Sequence, residues 1–199
     1  MSIYCHGPYS PMRFALLICF SFVFGGCSRT HGPSPDAMQS GGPVSATLSV
    51  AAGTVQTITA VFRNAGGGSR IAEVTVSVMS DQLPPGGGSG WSTHECLLRY
   101  DVAANEIWLV PDVGGTWGSH SITAGSASTF SNSQCTVLAS GSGARISGNL
   151  VTVDLALKFT DKFAGRKQIY LQSEDADGTW SSNYKQQFGS FTVTASRTP

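Results

Sequence analysis

The sequence predicts an all-β protein, most simply a β-sandwich, and three observations support this prediction. Short runs alternate between apolar and polar residues, which is typical of strands with one buried face. Stretches rich in glycine and serine separate these runs, and the chain of 199 residues contains 24 glycines. Beyond residue 44, patterns with the helical period are hard to find. Gly- and Ser-rich turns between β-branched runs are typical of all-β proteins.

The stretch "NLVTVDLALKFT", residues 149–160, is the clearest predicted strand. Val151 and Leu155 point to one side of it, and polar residues point to the other. In "ECLLRYDV", residues 95–102, the same alternation directs Cys96 toward the core. The remaining predicted strands span residues 44–50, 54–64, 72–80, 106–112, 135–140, 168–173 and 190–196.

About nine short strands with turn signals between them match an immunoglobulin-like β-sandwich. We expect this sandwich to form one domain over residues 46–196, since a chain of about 150 residues buries roughly 70% of its unfolded surface. Residues 140–149, "SGSGARISGN", are among the predicted turns. A closed β-barrel is the alternative architecture, because a sequence cannot show whether edge strands meet.

Residues 1–27 are expected to form a signal peptide. Arg13 precedes an apolar run of about eleven residues, which fits a secretory signal and is too short to span a bilayer. The run ends in "FGGC", which resembles a bacterial lipobox and implies lipidation of Cys27 with cleavage before it. An ordinary signal cleaved nearby, with Cys27 incidental, is the alternative. We expect Met12 to be the true start, because "MRFALLICFSFVFGGC" is a compact charged-then-apolar signal.

Residues 28–45 are rich in proline, glycine and serine and predict a flexible linker. Such a linker holds a domain away from a lipid anchor. We therefore expect an exported protein whose partner is the membrane, reached through the lipid at Cys27. The bacterial outer membrane, the periplasm and the cell surface are all compatible locations, and Ser28 leaves sorting to the outer membrane open.

Three cysteines remain after the expected cleavage: Cys27, Cys96 and Cys135. With Cys27 lipidated, an oxidising compartment favours a disulfide between the other two. Two alternatives stay open. One is a metal site that adds His94 and His120, although their spacing matches no standard zinc pattern. The other is a catalytic thiol at Cys135.

Charge and motifs argue against nucleic-acid binding and catalysis. The formal net charge is zero, and no basic run occurs, so we expect no nucleic-acid partner. The chain lacks a G-x-S-x-G elbow, and its glycine runs lack the lysine of a phosphate loop. Glu95, Asp101, Glu106 and Asp112 are available carboxylates, but each lies near a strand end without a motif. We expect a protein that is not an enzyme, and a small carbohydrate-active hydrolase is the less favoured alternative.

The motifs "CLLRYD", "NEIWLVPD", "FSNSQCTV" and "FAGRKQIY" resemble an Ig-like domain that is repeated in secreted and surface proteins of bacteria. The resemblance covers roughly residues 50–194, with Cys96, Cys135, Asp112 and Trp117 as its landmarks. It implies an extracellular module of no established activity and transfers no catalytic residue. Where that family ends in "GTWTV" this chain has "GSFTV", so an aromatic residue keeps the core position.

Trp117, Trp180 and Asp112 are the candidate ligand-binding residues. Both tryptophans lie in turns rich in Gly, Ser and Thr, where a large rigid ring can stack on a sugar. The alternative is that these rings fold back as lids over the ends of the sandwich. Trp108 lies in an apolar strand and is expected in the core, whereas Trp91 could be either exposed or buried.

Glu174, Asp175 and Asp177 form the densest acidic cluster and are weak candidates for calcium. The cluster fails the EF-hand spacing, and a turn built on Asp177 and Gly178 explains it equally well. No other cofactor or metal is expected.

The sequence therefore predicts a non-catalytic, exported and lipid-anchored module with a structural, adhesive or ligand-binding role at the cell envelope. Its partner would be a glycan or a surface protein. A carbohydrate-binding module is the first alternative.

Overall fold

The computed structural model describes residues 38–40, 49–80, 95–112, 117, 120–181 and 187–196. The predicted signal peptide with Cys27, most of the predicted linker, Trp91 and His94 lie outside these ranges. Within them, the chain contains no helix that is both long and apolar enough to cross a membrane.

Twelve strands in the described residues form two sheets. The five-stranded sheet contains, in spatial order, β1 (Met38–Ser40), β3 (Val55–Asn64), β10 (Leu150–Phe159), β9 (Cys135–Ser147) and β8 (Thr129–Ser131). The seven-stranded sheet contains β2 (Ser49–Ala51), β12 (Gln187–Thr194), β11 (Gly165–Asp175), β4 (Ile71–Ser80), β5 (Glu95–Asp101), β6 (Glu106–Leu109) and β7 (Ile122–Thr123). All the strand pairs are antiparallel except β2 with β12, which is parallel.

The two sheets pack through the apolar residues that alternation places on one side of each strand. Val151 and Leu155 of β10 are at most 1% exposed, as are Cys96 and Tyr100 of β5. Residues of both sheets belong to one buried cluster. The predicted all-β sandwich is confirmed. The closed barrel is not formed, because the described strands fall into two separate sheets.

Three short strands were not predicted from the sequence. The strands β7 and β8 have two and three residues, which is too few to show an alternating pattern. The strand β1 lies within the predicted linker, residues 28–45, and pairs with the C-terminal end of β3, residues 62–64. Each of these strands forms because a neighbouring strand offers backbone donors and acceptors. The sequence of the short strand itself gives no sign of that neighbour.

The predicted turn over residues 140–149 is wrong for most of its length, because β9 continues to Ser147. A bulge interrupts the pairing of β9 with β10. At this bulge the Ser142 hydroxyl forms one hydrogen bond within β9 and one with β10. This hydroxyl donates to the Leu138 carbonyl at 2.8 Å and accepts from the Ala156 amide at 3.0 Å. Glycine is required at 141, where a Cβ would lie 2.7 Å from the Ala156 side chain. Glycine and serine thus accommodate a bulge here and do not end the strand.

Cys96 and Cys135 form the predicted disulfide. Cys96 belongs to β5 of the seven-stranded sheet and Cys135 begins β9 of the five-stranded sheet, so the bond links the two layers. Both cysteines are fully buried. The alternative roles of Cys135 as a metal ligand or a catalytic thiol are therefore wrong, because its sulfur is already bonded.

We predict that the double substitution of Cys96 and Cys135 by alanine destabilises the fold. The disulfide closes a loop with a sequence separation of 39, and in the chain-entropy model such a loop is worth about 3–4 kcal/mol. Denaturant unfolding of the oxidised wild type and the double variant measures this difference. The wild type in reductant is the matched control and should lose a similar free energy. Equal stability of all three samples would contradict the prediction.

Candidate functional site

The segment from Ser131 to Cys135 joins the two sheets a second time, through the side chain of Asn132. Its amide nitrogen donates to the carbonyls of Glu95 and Val110, at 3.2 and 2.9 Å. Its side-chain oxygen accepts from the backbone amides of Gln134 and Cys135, both at 2.9 Å. One amide side chain therefore connects the start of β5, the end of β6 and the start of β9. We call Asn132 and the Cys96–Cys135 disulfide together the clasp.

Asp112, a candidate ligand-binding residue, is positioned to support the clasp. Its carboxylate accepts two hydrogen bonds from the Ser133 amide, at 3.0 and 2.9 Å, and one from the Ser133 hydroxyl at 2.6 Å. These bonds hold the segment next to Asn132 and occupy the carboxylate. The aromatic residue at position 191 lies in the core, 3% exposed, with its ring 5.3 Å from that of Phe159.

The side of the seven-stranded sheet that faces away from the five-stranded sheet carries the most distinctive chemistry. We call this side the outer face. On it, the Arg99 guanidinium carbon lies 4.3 Å from the centre of the Trp108 ring and 5.1 Å from that of Trp117. The Arg99 Nε also forms an ion pair with Glu73 at 3.5 Å. A guanidinium held by two indole rings and a carboxylate is a rigid arrangement, because each contact restricts the others.

Two expectations about tryptophans change in this arrangement. Trp108 is not in the core, because its neighbours Ile107 and Leu109 point inward and leave it half-buried on the outer face. Trp117 does fold back, but it contacts Arg99 in β5 and does not lie over an end of the sandwich. The structure therefore brings Trp117 and Trp108 together through Arg99.

Four carboxylates lie side by side across the outer face. Glu106 pairs with Asp101, Asp101 pairs with Glu73, and Glu73 pairs with Glu174 in the ladders that join β6, β5, β4 and β11. Directly opposed residues point to the same face, with Cβ atoms about 4.5–5.5 Å apart. We call this line of residues the carboxylate row. Trp180 extends it, because Trp180 forms an isolated bridge opposite Glu174.

The pKa of Glu73 is raised above its ordinary value of 4.5. Burial of the half-buried carboxyl is the largest cause, and the neighbouring charges of Glu174 and Asp101 add to it. Arg99 acts in the opposite direction without cancelling these effects. The raised pKa therefore reflects mainly the burial of Glu73, with a smaller effect of its acidic neighbours in the carboxylate row.

The other members of the row differ in how they are held. Asp101 accepts hydrogen bonds from the amides of Ala103 and Ala104 and so closes the turn between β5 and β6. Glu106 accepts from the Ser121 hydroxyl at 3.0 Å. Asp101 and Glu106 were candidates from the sequence. Sequence reasoning missed Glu73 and Arg99, although their outward positions in strands β4 and β5 could have been read from the alternation.

The calcium candidates Asp175 and Asp177 surround the side chain of Arg70. Arg70 is hydrogen-bonded to Asp177 and lies 3.7 Å from Asp175. Asp175 also accepts from the amides of Asp177 and Thr179, so it closes the turn that the Asp177-Gly178 pair predicted. Glu174 points to the outer face instead. In the described ranges, no group of three or more His, Cys, Asp or Glu side chains could hold a metal ion.

Comparisons with known proteins give no family for this chain. No protein-family model matches it, and no curated protein sequence matches it. The class of protein that the geometry supports is an all-β sandwich with an interlayer disulfide and an aromatic, acidic outer face.

We predict that Asn132→Ala destabilises the protein by about 2–4 kcal/mol, because it leaves buried backbone groups without partners. The four residues that lose a partner, Glu95, Val110, Gln134 and Cys135, are at most 9% exposed. Ser131→Ala is the matched control, since it removes one hydrogen bond, between the exposed Ser131 hydroxyl and that of Thr136, and should cost less than about 1 kcal/mol. Chemical denaturation of both variants measures the contrast, and equal costs would contradict it.

We predict a pH-dependent gain in stability for Glu73→Gln. Because the pKa of Glu73 is raised in the folded state, folding favours its protonated form, and its contribution to stability falls as pH rises above 4.5. The difference in free energy of unfolding between Glu73→Gln and the wild type should therefore shift in favour of the variant as the pH is raised from acidic to neutral.

Asp154→Asn is the control of opposite sign for this pH series. The pKa of Asp154 is lowered. Burial by itself would raise this pKa, but a hydrogen bond from Thr59 and the contact with Arg145 lower it by more. Its stabilising contribution is present above the unfolded-state pKa and is lost as pH falls through the folded-state pKa. The loss in free energy of unfolding that Asp154→Asn causes should thus become larger as the pH is raised toward neutral. The same trend in both variants would refute our assignment.

Proposed function

We propose that this chain is an exported, lipid-anchored, immunoglobulin-like module that binds a ligand at the cell envelope without catalysing a reaction. The outer face of the seven-stranded sheet is its binding surface. The observation that carries this proposal is the Trp108–Arg99–Trp117 arrangement, which fixes two indole rings on a sheet face.

The clasp supports a rigid, exported module. A disulfide persists in oxidising compartments outside the cytoplasm, which agrees with the signal peptide and the lipidation of Cys27 that the sequence predicts. A sandwich joined twice between its layers also holds the outer face in one geometry. Rigid surfaces bind with a smaller loss of conformational entropy than mobile ones.

The carboxylates support binding more than catalysis. A glycosidase of the usual kind needs two acids that face one scissile bond across a cleft. Here Asp112 is occupied by Ser133, Asp101 by the turn that follows it, and Glu106 by Ser121. Glu73 is ion-paired with Arg99. These carboxylates have structural partners, and the row lies along a sheet face.

Carbohydrate binding is the second candidate, favoured by the two tryptophans on one face. Large rigid rings present apolar area at low entropic cost. The side chains of Gln168, Tyr170 and Gln172 lie on the same face and offer hydrogen-bonding groups, with the Tyr170 hydroxyl bonded to Gln168. A sugar ring stacked on Trp117 could use them.

We predict that Trp117→Ala abolishes or weakens ligand binding by at least about tenfold, because it removes a stacking ring and frees Arg99. The full chain, purified in mild detergent with its disulfide formed, would be titrated against a broad panel of bacterial and plant glycans and cell-surface peptides. Tryptophan fluorescence and calorimetry measure binding. Val55→Ala is the matched control, since Val55 is 53% exposed on the other sheet.

Two outcomes of this screen decide between the candidates. Glycan binding that depends on Trp117 would make the chain a carbohydrate-binding module, and peptide binding with the same dependence would support protein adhesion. Failure to bind any member of the panel, or binding that Trp117→Ala leaves unchanged, would refute the outer face as the binding surface.

A further inference from the structure

The end of the carboxylate row carries an exposed tryptophan. Trp180 is 39% exposed and lies directly opposite Glu174. Opposed residues have Cβ atoms about 4.5–5.5 Å apart, so the indole ring and the carboxylate are neighbours on the outer face. Trp180 is one of three large hydrophobic side chains that are exposed in the described residues.

Neither side chain has a partner within the part of the chain that the structure describes. Among the described residues, the Glu174 carboxylate has no ion-pair or hydrogen-bond partner, and the Trp180 ring contacts no cation and no other ring. Glu174 pairs across the ladder with Glu73, which has a charge of the same sign and whose pKa Glu174 helps to raise. An indole ring beside a carboxylate is an arrangement that attracts a cation, because the ring face and the carboxylate both interact favourably with positive charge.

Another position on the outer face shows that an indole ring and a carboxylate together can hold a guanidinium. At Trp108 and Glu73, the chain supplies its own guanidinium, and Arg99 lies over the ring while its Nε pairs with the carboxylate. Trp180 and Glu174 repeat the combination of one indole ring and one carboxylate. The difference is that no described residue supplies the cation at the second position.

We propose that Trp180 and Glu174 form a receptor for an arginine side chain in a basic segment of a partner protein. This inference rests on the proposed function, since it assigns a ligand class to the same outer face. The guanidinium stacks on the Trp180 ring and forms an ion pair with the Glu174 carboxylate, as Arg99 does with Trp108 and Glu73. Arginine suits both contacts because its guanidinium is planar and always charged.

Charge complementarity extends the site beyond one side chain. Of the four carboxylates in the row, Glu73 is the one that has an ion-pair partner among the described residues. Further cations of the partner segment therefore lie along the row, opposite Asp101 and Glu106. A neutral glycan would leave these charges uncompensated, which is why the row favours a basic polypeptide.

The test uses the full chain in mild detergent with its disulfide formed. A short Arg-Gly repeat peptide is titrated at low ionic strength and again at physiological ionic strength, with a Glu-Gly repeat as the peptide control. We expect saturable binding of the Arg-Gly peptide, quenching of tryptophan fluorescence, and weaker binding at the higher ionic strength.

Variants assign the binding to the two residues. Trp180→Ala and Glu174→Gln should each weaken binding by roughly fivefold to thirtyfold, the range of a cation–π contact from exposed to desolvated. Trp180→Tyr keeps an aromatic face and should stay within about threefold of wild type. Because these three variants carry surface changes, circular dichroism and thermal melting confirm that they remain folded.

Asp161→Asn is the matched charge control. It removes one negative charge just before β11, whereas Glu174 lies near the end of that 11-residue strand. At about 3.3 Å per residue the two positions are roughly 30 Å apart, beyond the Debye length at physiological salt. At physiological ionic strength, Asp161→Asn should therefore bind the Arg-Gly peptide within about twofold of wild type.

Three outcomes would overturn the proposal. One is the absence of Arg-Gly binding at low ionic strength. Another is equal weakening by Asp161→Asn and Glu174→Gln, which would show attraction by overall charge alone. The third is a neutral glycan bound at Trp180 in preference to the peptide. If glycans bind through Trp117 while the peptide does not bind, this inference fails and the proposed function stands. If neither binds, both fail.

Discussion

The clasp between Cys96, Cys135 and Asn132 is the constraint on which the rest of the structure depends. The disulfide joins β5 to β9 across the interior, and the Asn132 amide connects the carbonyls at the start of β5 and after β6 to the amide of Cys135. A covalent bond restricts the unfolded chain, and the part-buried Asn132 amide provides hydrogen-bond partners for backbone groups where the layers meet. The clasp thus holds one end of β5 and β9 in a single geometry.

That anchoring determines what the outer face presents. Because Cys96 must point inward to reach Cys135, Leu98 and Tyr100 also point inward, and Arg99 and Asp101 point outward. A slip of one residue would exchange the two sets and bury the charges. The position of Arg99 between two tryptophans and next to Glu73 follows from this register. The outer face can therefore hold half-buried and exposed tryptophan rings next to carboxylates, since the stability of the sandwich resides in the core.

The sequence was a good guide wherever the information is local. Period-two alternation located β3, β4, β5 and β10 and the side of each strand that is buried. It failed at residues 140–149, where glycine and serine form a bulge, and at Trp108, whose apolar neighbours concealed an outward position. In both places the deciding contact comes from another strand. The preference of a residue type for turns or for the core can be inferred from the sequence. The strand that lies next to a given residue cannot be inferred in this way.

By itself, the sequence determined the all-β class, the inward faces of the strands and the pair of cysteines that cross-link them, because each depends on the residues of one short segment or on counting. Only the tertiary structure decided that Glu106, Asp101, Glu73 and Glu174 form one row, that Trp180 ends it, and that Arg99 joins Trp108 to Trp117. These residues come from different strands, and their proximity is set by sheet order and register. Those properties arise from packing of the whole chain.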